Sequence, residues 1–161
     1  MDDFKEGTEK SLEERWFEGG LRFQCTACGK CCTGSSGHVY LSGADMERLA
    51  SFFQLTIGKF ARKYTRLIKG RRALIDKSGS HDCVFLSNRT CEVYEARPTQ
   101  CRTYPWWISI INDRQSWEEA GEICEGINHP GAPIFSSADI LEQYQMDLDN
   151  ESNLERNLRE R

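Results

Sequence analysis

The segment VYLSGADMERLASFF, which begins at Val39, contains apolar residues at a helical period, and these residues follow a helix-capping motif. One face of this helix takes the positions i, i+3, i+4 and i+7, occupied by Met46, Leu49, Ala50 and Phe53. Ser42 precedes this face and Asp45 stands three residues later, the arrangement of a capping box at a helix start. The segment VYLSGADMERLASFF therefore predicts a brief strand that leads into a helix whose apolar face is buried.

Three further segments continue the mixture of helices and strands. EKSLEERWF, residues 9–17, predicts a short helix that ends at the Gly19-Gly20 pair, because glycine disfavours a helix interior. IGKFARKYTRLI, residues 57–68, predicts a second helix. RRALIDKSGS, residues 71–80, predicts a short strand followed by a turn.

Two short elements farther along the chain carry single cysteines. CVFLSNRTCEVY predicts a hairpin that turns at the letters SNR, with Cys83 and Cys91 near its two outer ends. In ARPTQCRTYPWW, Pro98 suits the first turn of a helix and Pro105 ends that helix. Cys101 is therefore predicted to lie on a single helical turn.

The last third of the chain predicts a central strand, a loop and a long helix. The strand is the most apolar run, formed by Trp106, Trp107, Ile108, Ile110 and Ile111. Residues 128–133 predict a loop that contains two prolines, and a capped helix follows from Ser136 onward. Its inward residues are predicted to be Ile140, Leu141, Tyr144 and Leu148.

Length and composition place these elements in one small domain. The chain has 161 residues, of which 39% are hydrophobic and 29% charged, which is ordinary for a globular protein. We expect the α+β class, with several helices, a short hairpin or sheet and irregular metal-binding loops. The predicted organisation is a helical lead-in at residues 1–24, a cysteine-cluster domain at residues 25–126, and a C-terminal loop and helix at residues 127–161.

Charge and the N-terminal segment restrict the function classes. The net charge of -4 gives no electrostatic reason to expect a nucleic-acid partner. The first residues, MDDFKEGTEKSLEERW, are acidic and do not resemble a secretory signal, and no window resembles a membrane span. We therefore expect a cytoplasmic protein that acts on or with another protein. In that reducing compartment, many cysteines favour metal or redox chemistry over disulfides.

The eight cysteines are the strongest functional signal in the sequence. They form one dense group in QCTACGKCC and four isolated positions, and the full set is Cys25, Cys28, Cys31, Cys32, Cys83, Cys91, Cys101 and Cys124. The first three have the C-x2-C-x2-C spacing by which bacterial-type ferredoxins bind an iron–sulfur cluster, whereas structural zinc sites usually join two close pairs. The spacing favours a [4Fe–4S] cluster, with zinc as the alternative. One centre with spare thiols and two four-thiolate centres both remain open.

The adjacent cysteines add a geometric argument. In an extended chain, neighbouring side chains point to opposite sides. We therefore expect Cys31 and Cys32 to serve different centres.

The order of these motifs resembles the YkgJ-type cysteine-cluster family. The resemblance rests on C-x2-C-x2-C-C, on CEVY with RPTQCRTYP, and on the final CEG, and it spans about residues 25 to 126. That family is described as a zinc- or iron-chelating domain, and flagellin N-methylase contains a similar domain. The resemblance implies that all eight cysteines are candidate metal ligands. It also implies a wall around them, formed by Arg97, Pro98, Arg102, Tyr104 and Pro105.

Other polar residues are weaker candidates. Arg97 and Arg102 flank Cys101, where guanidinium groups would stabilise an anionic iron–sulfur cluster. The three histidines, which are candidate nitrogen ligands, are His38, His81 and His129. A basic run, interpreted as a solvated face or as a docking site for an acidic partner or nucleic acid, contains Lys59, Lys63, Arg66, Lys69, Arg71 and Arg72.

Three functions follow from this pattern. The protein is a redox or protein-modification enzyme that uses an iron–sulfur cluster, a metal carrier, or a structural zinc protein. The sequence contains no G-x-G-x-x-G fingerprint after a strand and no Ser-His-Asp or Cys-His arrangement, so it identifies no catalytic residue.

Overall fold

The computed structural model describes residues 16–33 and 37–159, in which helices alternate with pairs of very short strands. The strands are β1 (Leu21–Arg22), β2 (Thr65–Ile68), β3 (Arg71–Leu74), β4 (Leu86–Ser87), β5 (Thr90–Cys91) and β6 (Ile134–Phe135). The α-helices are α1 (Gly43–Phe52), α2 (Ile57–Tyr64), α3 (Thr99–Arg102), α4 (Ile108–Ile111), α5 (Arg114–Ile123) and α6 (Ser137–Arg159). Two 3₁₀ turns are Lys30–Cys32 and Tyr94–Ala96. The mixture confirms the predicted α+β class.

The internal contacts divide these elements into two units. The first unit comprises the chain up to Thr26 together with Pro105–Gln145. Its antiparallel strands β1 and β6 pair Leu21 with Phe135. Its core contains a stacked pair of indoles, Trp106 and Trp117, whose ring centroids lie 5.4 Å apart.

The second unit comprises Ala27–Tyr104 and the chain from Met146 onward. It contains the antiparallel pairs β2–β3 and β4–β5. Its core consists of Leu41, Met46, Leu49, Ala50, Phe60, Leu74, Phe85, Val93 and Ala96. The division of the chain at residues 24 and 126, made from the sequence, stays a prediction.

Helix α1 forms where its capping box predicts it. The Ser42 hydroxyl accepts a hydrogen bond from the Asp45 N–H at 3.1 Å, and the Asp45 carboxylate accepts one from the Ser42 N–H at 3.1 Å. Met46, Leu49 and Ala50 are buried in the core, as their period predicts. The helix and these three buried positions are confirmed, whereas Phe53, predicted on the same face, follows the end of α1 and is only partly buried. The brief strand predicted before the helix is wrong, since Tyr40 forms only an isolated bridge with Ala73.

The helix predicted over residues 57–68 ends at Tyr64, and its last four residues form strand β2. Lys69 and Gly70 have φ values of 49° and 80°, and they form the two-residue turn that a hairpin requires. This turn lets Thr65–Ile68 pair with Arg71–Leu74. The prediction of one long helix is wrong because pairing across the turn outweighs the helical pattern of the letters. The strand predicted to begin at Arg71 is confirmed.

The central strand predicted at residues 106–111 is also wrong. Ile108–Ile111 is a helical turn, and Trp106 and Ile111 reach the core of the first unit from irregular and helical backbone. A short apolar run does not by itself distinguish a strand from a buried helix. Helix α5, which the sequence did not predict, is capped by Asp113, whose carboxylate accepts a hydrogen bond from the Ser116 N–H at 2.8 Å.

Helix α6 begins after Ser136, as predicted, with a reciprocal cap between Ser136 and Asp139. Ile140 and Tyr144 are buried and Leu141 is partly buried, but Leu148 is 37% exposed, so its predicted inward position is wrong. Most of the helix predicted at residues 9–17 lies outside the described residues. Within the part of the chain that the structure describes, no helix has the length and apolar character needed to cross a membrane.

Candidate metal centre

The cysteine-rich segment is irregular, as predicted, apart from the single 3₁₀ turn Lys30–Cys32. Gly29 precedes this turn with φ +73°, a backbone conformation that residues with a side chain rarely adopt. A Cβ on Gly29 would lie 2.7 Å from the Arg89 carbonyl oxygen and 3.0 Å from Leu86 Cδ1. Glycine therefore allows this segment to approach the turn between β4 and β5 closely.

Four segments of the second unit bring cysteines together. Cys32 lies on the 3₁₀ turn, and its carbonyl accepts a hydrogen bond from the Cys83 N–H at 2.7 Å. Cys91 lies in β5, and Cys101 lies in α3. The hairpin prediction holds for Cys91, but Cys83 precedes β4 and forms an isolated bridge with Asp76 instead.

The thiols of these segments lie within electrostatic reach of one another. Burial raises the pKa of the Cys101 thiol, and negative charge on Cys83, Cys31 and Cys91 raises it further. Burial also raises the pKa of Cys83, and negative charge on Cys91 and Cys31 raises it further. These four sulfurs thus repel one another when ionised, which is the condition that a bound cation relieves.

The adjacent cysteines differ from the expectation for an extended chain. The sulfurs of Cys31 and Cys32 lie 3.9 Å apart, because both residues belong to a tight turn rather than to an extended segment. A hydrogen bond from Cys32 lowers the pKa of the Cys31 thiol to about 6, whereas the same hydrogen bond raises the pKa of Cys32. Cys31 is therefore the member of the pair that ionises first. That Cys31 and Cys32 serve different centres stays a prediction.

Arg97 supplies positive charge to the thiols. Its guanidinium lowers the pKa of both Cys31 and Cys101. It lies 3.7 Å from the ring centroid of Tyr94, and its Nε donates a hydrogen bond to the Tyr94 carbonyl at 2.9 Å. The second predicted arginine, Arg102, is exposed at the end of α3.

Cys25 and Cys124 lie in the first unit, on two segments that pair with each other. Phe23 forms an isolated antiparallel bridge with Ile127, and the Gln24 N–H donates a hydrogen bond to the Gly126 carbonyl at 3.1 Å. Farther along, the Thr26 hydroxyl donates a hydrogen bond to Glu125 at 2.8 Å. Cys25 lies between these two anchoring points, opposite the segment that contains Cys124.

Cys28 is partly buried in the irregular segment that precedes Gly29. All eight cysteines lie within the described residues, and none of them forms a disulfide.

The sequence missed a carboxylate that orients the helix of Cys101. Asp45 is fully buried and accepts hydrogen bonds from the Thr99 N–H at 3.0 Å and from the Thr99 hydroxyl at 2.8 Å. It also accepts from the Arg48 guanidinium at 2.5 Å, and the same Arg48 nitrogen donates to the Arg97 carbonyl at 2.8 Å. The capping box revealed Asp45 only as a helix cap, because its other partner lies 54 residues away.

The three histidines lie in different local environments. The Nδ1 atom of His129 accepts a hydrogen bond from the Gly131 N–H at 3.2 Å, and His81 is exposed. The His38 carbonyl accepts from the Gln100 amide at 3.0 Å, which fixes the backbone of His38 beside α3, and its Nδ1 is buried without a hydrogen-bond partner in the described part of the chain.

The donor set fits a thiolate-bound metal in its chemistry. Sulfur is the donor that iron–sulfur clusters and structural zinc both prefer, and Arg97 balances part of the negative charge. Within residues 16–33 and 37–159, no three His, Cys, Asp or Glu side chains converge in an arrangement that could hold a metal ion. The backbone thus brings the cysteine-bearing segments close together, but the sulfurs of the described residues are not oriented as in a coordination sphere.

Replacing Gly29 with alanine tests whether this close approach matters for metal binding. We expect Gly29→Ala to reduce the metal bound per chain, because the new Cβ meets the Arg89 carbonyl and forces the cysteine segment away from the hairpin. Gly79→Ala is the matched control, since Gly79 has φ +80° and no heavy atom within 4 Å of the added Cβ. It should cost about 1 kcal/mol of stability from the backbone conformation alone and leave the metal content unchanged. Equal metal contents in the two variants would contradict the proposed role of the contact.

Comparison with known proteins finds relatives that match part of this chain. The chain is similar to two uncharacterized proteins of Methanocaldococcus jannaschii. It is 25% identical over 97 residues to MJ0661, a match that covers 59% of this chain and 50% of the relative. It is 26% identical over 116 residues to MJ0939, a match that covers 67% of this chain and 38% of the relative. The chain thus spans half or less of the length of these curated relatives, and no solved structure matches it.

The family assignment covers the cysteine-rich part of the chain. A family model matches residues 24–125, which is more than half of the chain and includes all eight cysteines. This match confirms the resemblance drawn from the cysteine pattern. The chain therefore belongs to the CxxCxxCC family, which is described as a "putative zinc- or iron-chelating domain".

Proposed function

We propose that the protein binds an iron–sulfur cluster, a [4Fe–4S] centre, and uses it in redox or protein-modification chemistry. The observation that carries this proposal is the grouping of Cys31, Cys83, Cys91 and Cys101, which come from four separate segments and influence one another's ionisation. The family description supports a metal-binding role in general. The remaining cysteines stay candidate ligands of the same or a second centre.

Two features favour iron–sulfur over zinc. The first three cysteines have the spacing of ferredoxin ligands. Arg97 lies close enough to two thiols to lower their pKa, and a cationic neighbour stabilises an anionic cluster and raises its reduction potential. When bound, such a cluster supplies electron transfer. The residues of the chain would hold it, balance its charge through Arg97, and shield it with the adjoining core residues Phe85 and Val93.

Zinc is the second candidate because an all-thiolate set also suits a structural zinc ion. In that case the protein is a structural module or a metal carrier without catalysis. The free state of all eight thiols agrees with a reducing compartment, and we propose a cytoplasmic location for either metal. The substrate or redox partner would be another protein.

Metal analysis distinguishes the two candidates. We expect protein purified without oxygen to show broad visible absorption and to contain iron and sulfide in matching amounts. Cys101→Ser should reduce iron and sulfide together, because Cys101 is a proposed ligand whose pKa responds to Cys83, Cys31 and Cys91. A colourless protein with stoichiometric zinc would refute the iron–sulfur proposal and establish the structural or carrier role.

A further inference from the structure

One segment of the second unit has a charge opposite to that of the chain as a whole. Residues 57–74, here called the basic segment, contain seven basic residues and no acidic residue. The rest of the chain contains 14 basic and 25 acidic residues. The exposed cations of the basic segment are Lys59, Arg62, Lys63, Lys69 and Arg66, of which Arg66 forms an ion pair with Asp76 at 2.9 Å. Helix α2 and the β2–β3 hairpin therefore form a cationic surface on an otherwise acidic molecule.

A cavity of about 340 Å³ opens beside the basic segment. Its apolar lining includes Leu41, Met46, Ile57, Ala61 and Leu154. Arg71, Arg72 and Glu47 are its charged lining residues, and Arg71 also forms a loose ion pair with Glu151 at 3.7 Å. Volumes of this order lie at the small end of the range of ligand pockets, and they suit one side chain or a small ligand.

We propose that the basic segment and this cavity form a docking site for an acidic segment of a partner protein, with one apolar side chain of that segment in the cavity. An apolar anchor in a pocket with a charged rim is the arrangement that gives protein interfaces most of their binding energy. The cationic surface attracts the partner's carboxylates and speeds its association.

The character of the cavity favours a protein over a nucleic acid. Nucleic-acid bases stack chiefly on aromatic side chains, and a phosphodiester chain carries no aliphatic group to fill an aliphatic cavity. The residues that line the cavity include no aromatic ring. This proposal does not rest on the metal centre, because none of the cavity residues is a cysteine.

Two labelled peptides provide the test. We would measure fluorescence anisotropy of the anaerobically purified protein with a fluorescein-labelled peptide of Glu and Asp that has a central Leu, and with the same peptide carrying Ser instead. We expect the Leu peptide to bind about tenfold more tightly, because it buries an apolar side chain. Both affinities should fall as salt is added.

Variants separate the charge from the cavity. Arg62→Glu should weaken both peptides, whereas Lys77→Glu, an equal charge change at an exposed position outside the basic segment, should weaken neither. Gly58→Leu should remove the preference for Leu, since the new side chain enters the cavity and its Cβ lies no closer than 3.6 Å to its nearest neighbour, Arg62 Nη1. Ile57→Ser, at a residue that is 47% exposed, should reduce the preference without affecting folding.

Three results would overturn the docking proposal. One is equal binding of the Leu and Ser peptides, which would show that the cavity takes no anchor. Another is tighter binding of single-stranded DNA of equal length or of vesicles that contain anionic lipid, which would assign the surface to a nucleic acid or a membrane. The third is no binding of either peptide at low salt.

Discussion

Removal of the metal will turn the cooperative thermal unfolding of this protein into a broad transition at lower temperature. The ligand-bearing segments of the second unit have little regular structure of their own, since β4 and β5 are two-residue strands and Cys83 joins the cysteine turn through its backbone hydrogen bond to Cys32. Without a cation, the raised pKa values of Cys83 and Cys101 keep these thiols protonated, so the metal crosslink between their segments is lost. Metal–thiolate binding contributes about 10 kcal/mol in small zinc domains. At about 3 °C per kcal/mol, even part of that energy would lower the midpoint by about 10 °C or more.

The distribution of aromatic residues allows this effect to be located. All four tryptophans belong to the first unit, and they are Trp16, Trp106, Trp107 and Trp117. Tryptophan fluorescence therefore reports the first unit, while far-ultraviolet circular dichroism reports the helices of both. We expect chelation to broaden the dichroism transition more than the fluorescence transition. If chelated protein, shown by analysis to be free of metal, melts with an unchanged midpoint and width, the metal does not contribute to folding.

The sequence predicted those elements whose determinants are local. Helix α1 has its cap and its apolar period within twelve residues, and Pro98 and Pro105 delimit the turn that contains Cys101. The errors occurred where nonlocal contacts decide. Residues 65–68 have a helical sequence pattern, but the Lys69-Gly70 turn pairs them with β3. The apolar run at residues 106–111 is helical in a core that offers it no partner strand within the described chain.

At the candidate site, too, the sequence revealed local features but not the nonlocal contacts. Spacing identified the cysteines, because four thiols in eight residues form a local signal. Spacing did not reveal that Gly29 lies against Arg89, or that Cys32 and Cys83 share a backbone hydrogen bond. These contacts join residues more than fifty positions apart, and a single sequence carries no signal for them.

Replacing Asp45 with alanine will destabilise the second unit by about 3 kcal/mol. The substitution removes one half of the capping box of α1, the hydrogen bond from the Ser42 N–H to the carboxylate, worth about 1 kcal/mol, and leaves the bond to the Ser42 hydroxyl in place. It also leaves the Thr99 N–H and hydroxyl without their acceptor, which adds about 1–3 kcal/mol when such groups are buried. Arg48 is 30% exposed and keeps contact with water, so the loss of its ion pair adds little. Urea unfolding followed by circular dichroism measures the change.

Two variants distinguish the role of Asp45 at the site from its role as a helix cap. Asp139→Ala removes the matching carboxylate from the reciprocal cap at exposed Ser136, and it should lower stability slightly without affecting the metal content. Asp45→Ala should reduce the metal bound per chain as well, because Asp45 holds the start of the helix that carries Cys101 and anchors Arg48, whose guanidinium bonds the Arg97 carbonyl. Asp45→Asn retains an acceptor for the Thr99 N–H and should fall between wild type and Asp45→Ala in both measurements. If Asp45→Ala loses stability but retains the full metal content, the carboxylate supports the core alone, and the position of Cys101 is fixed by other contacts.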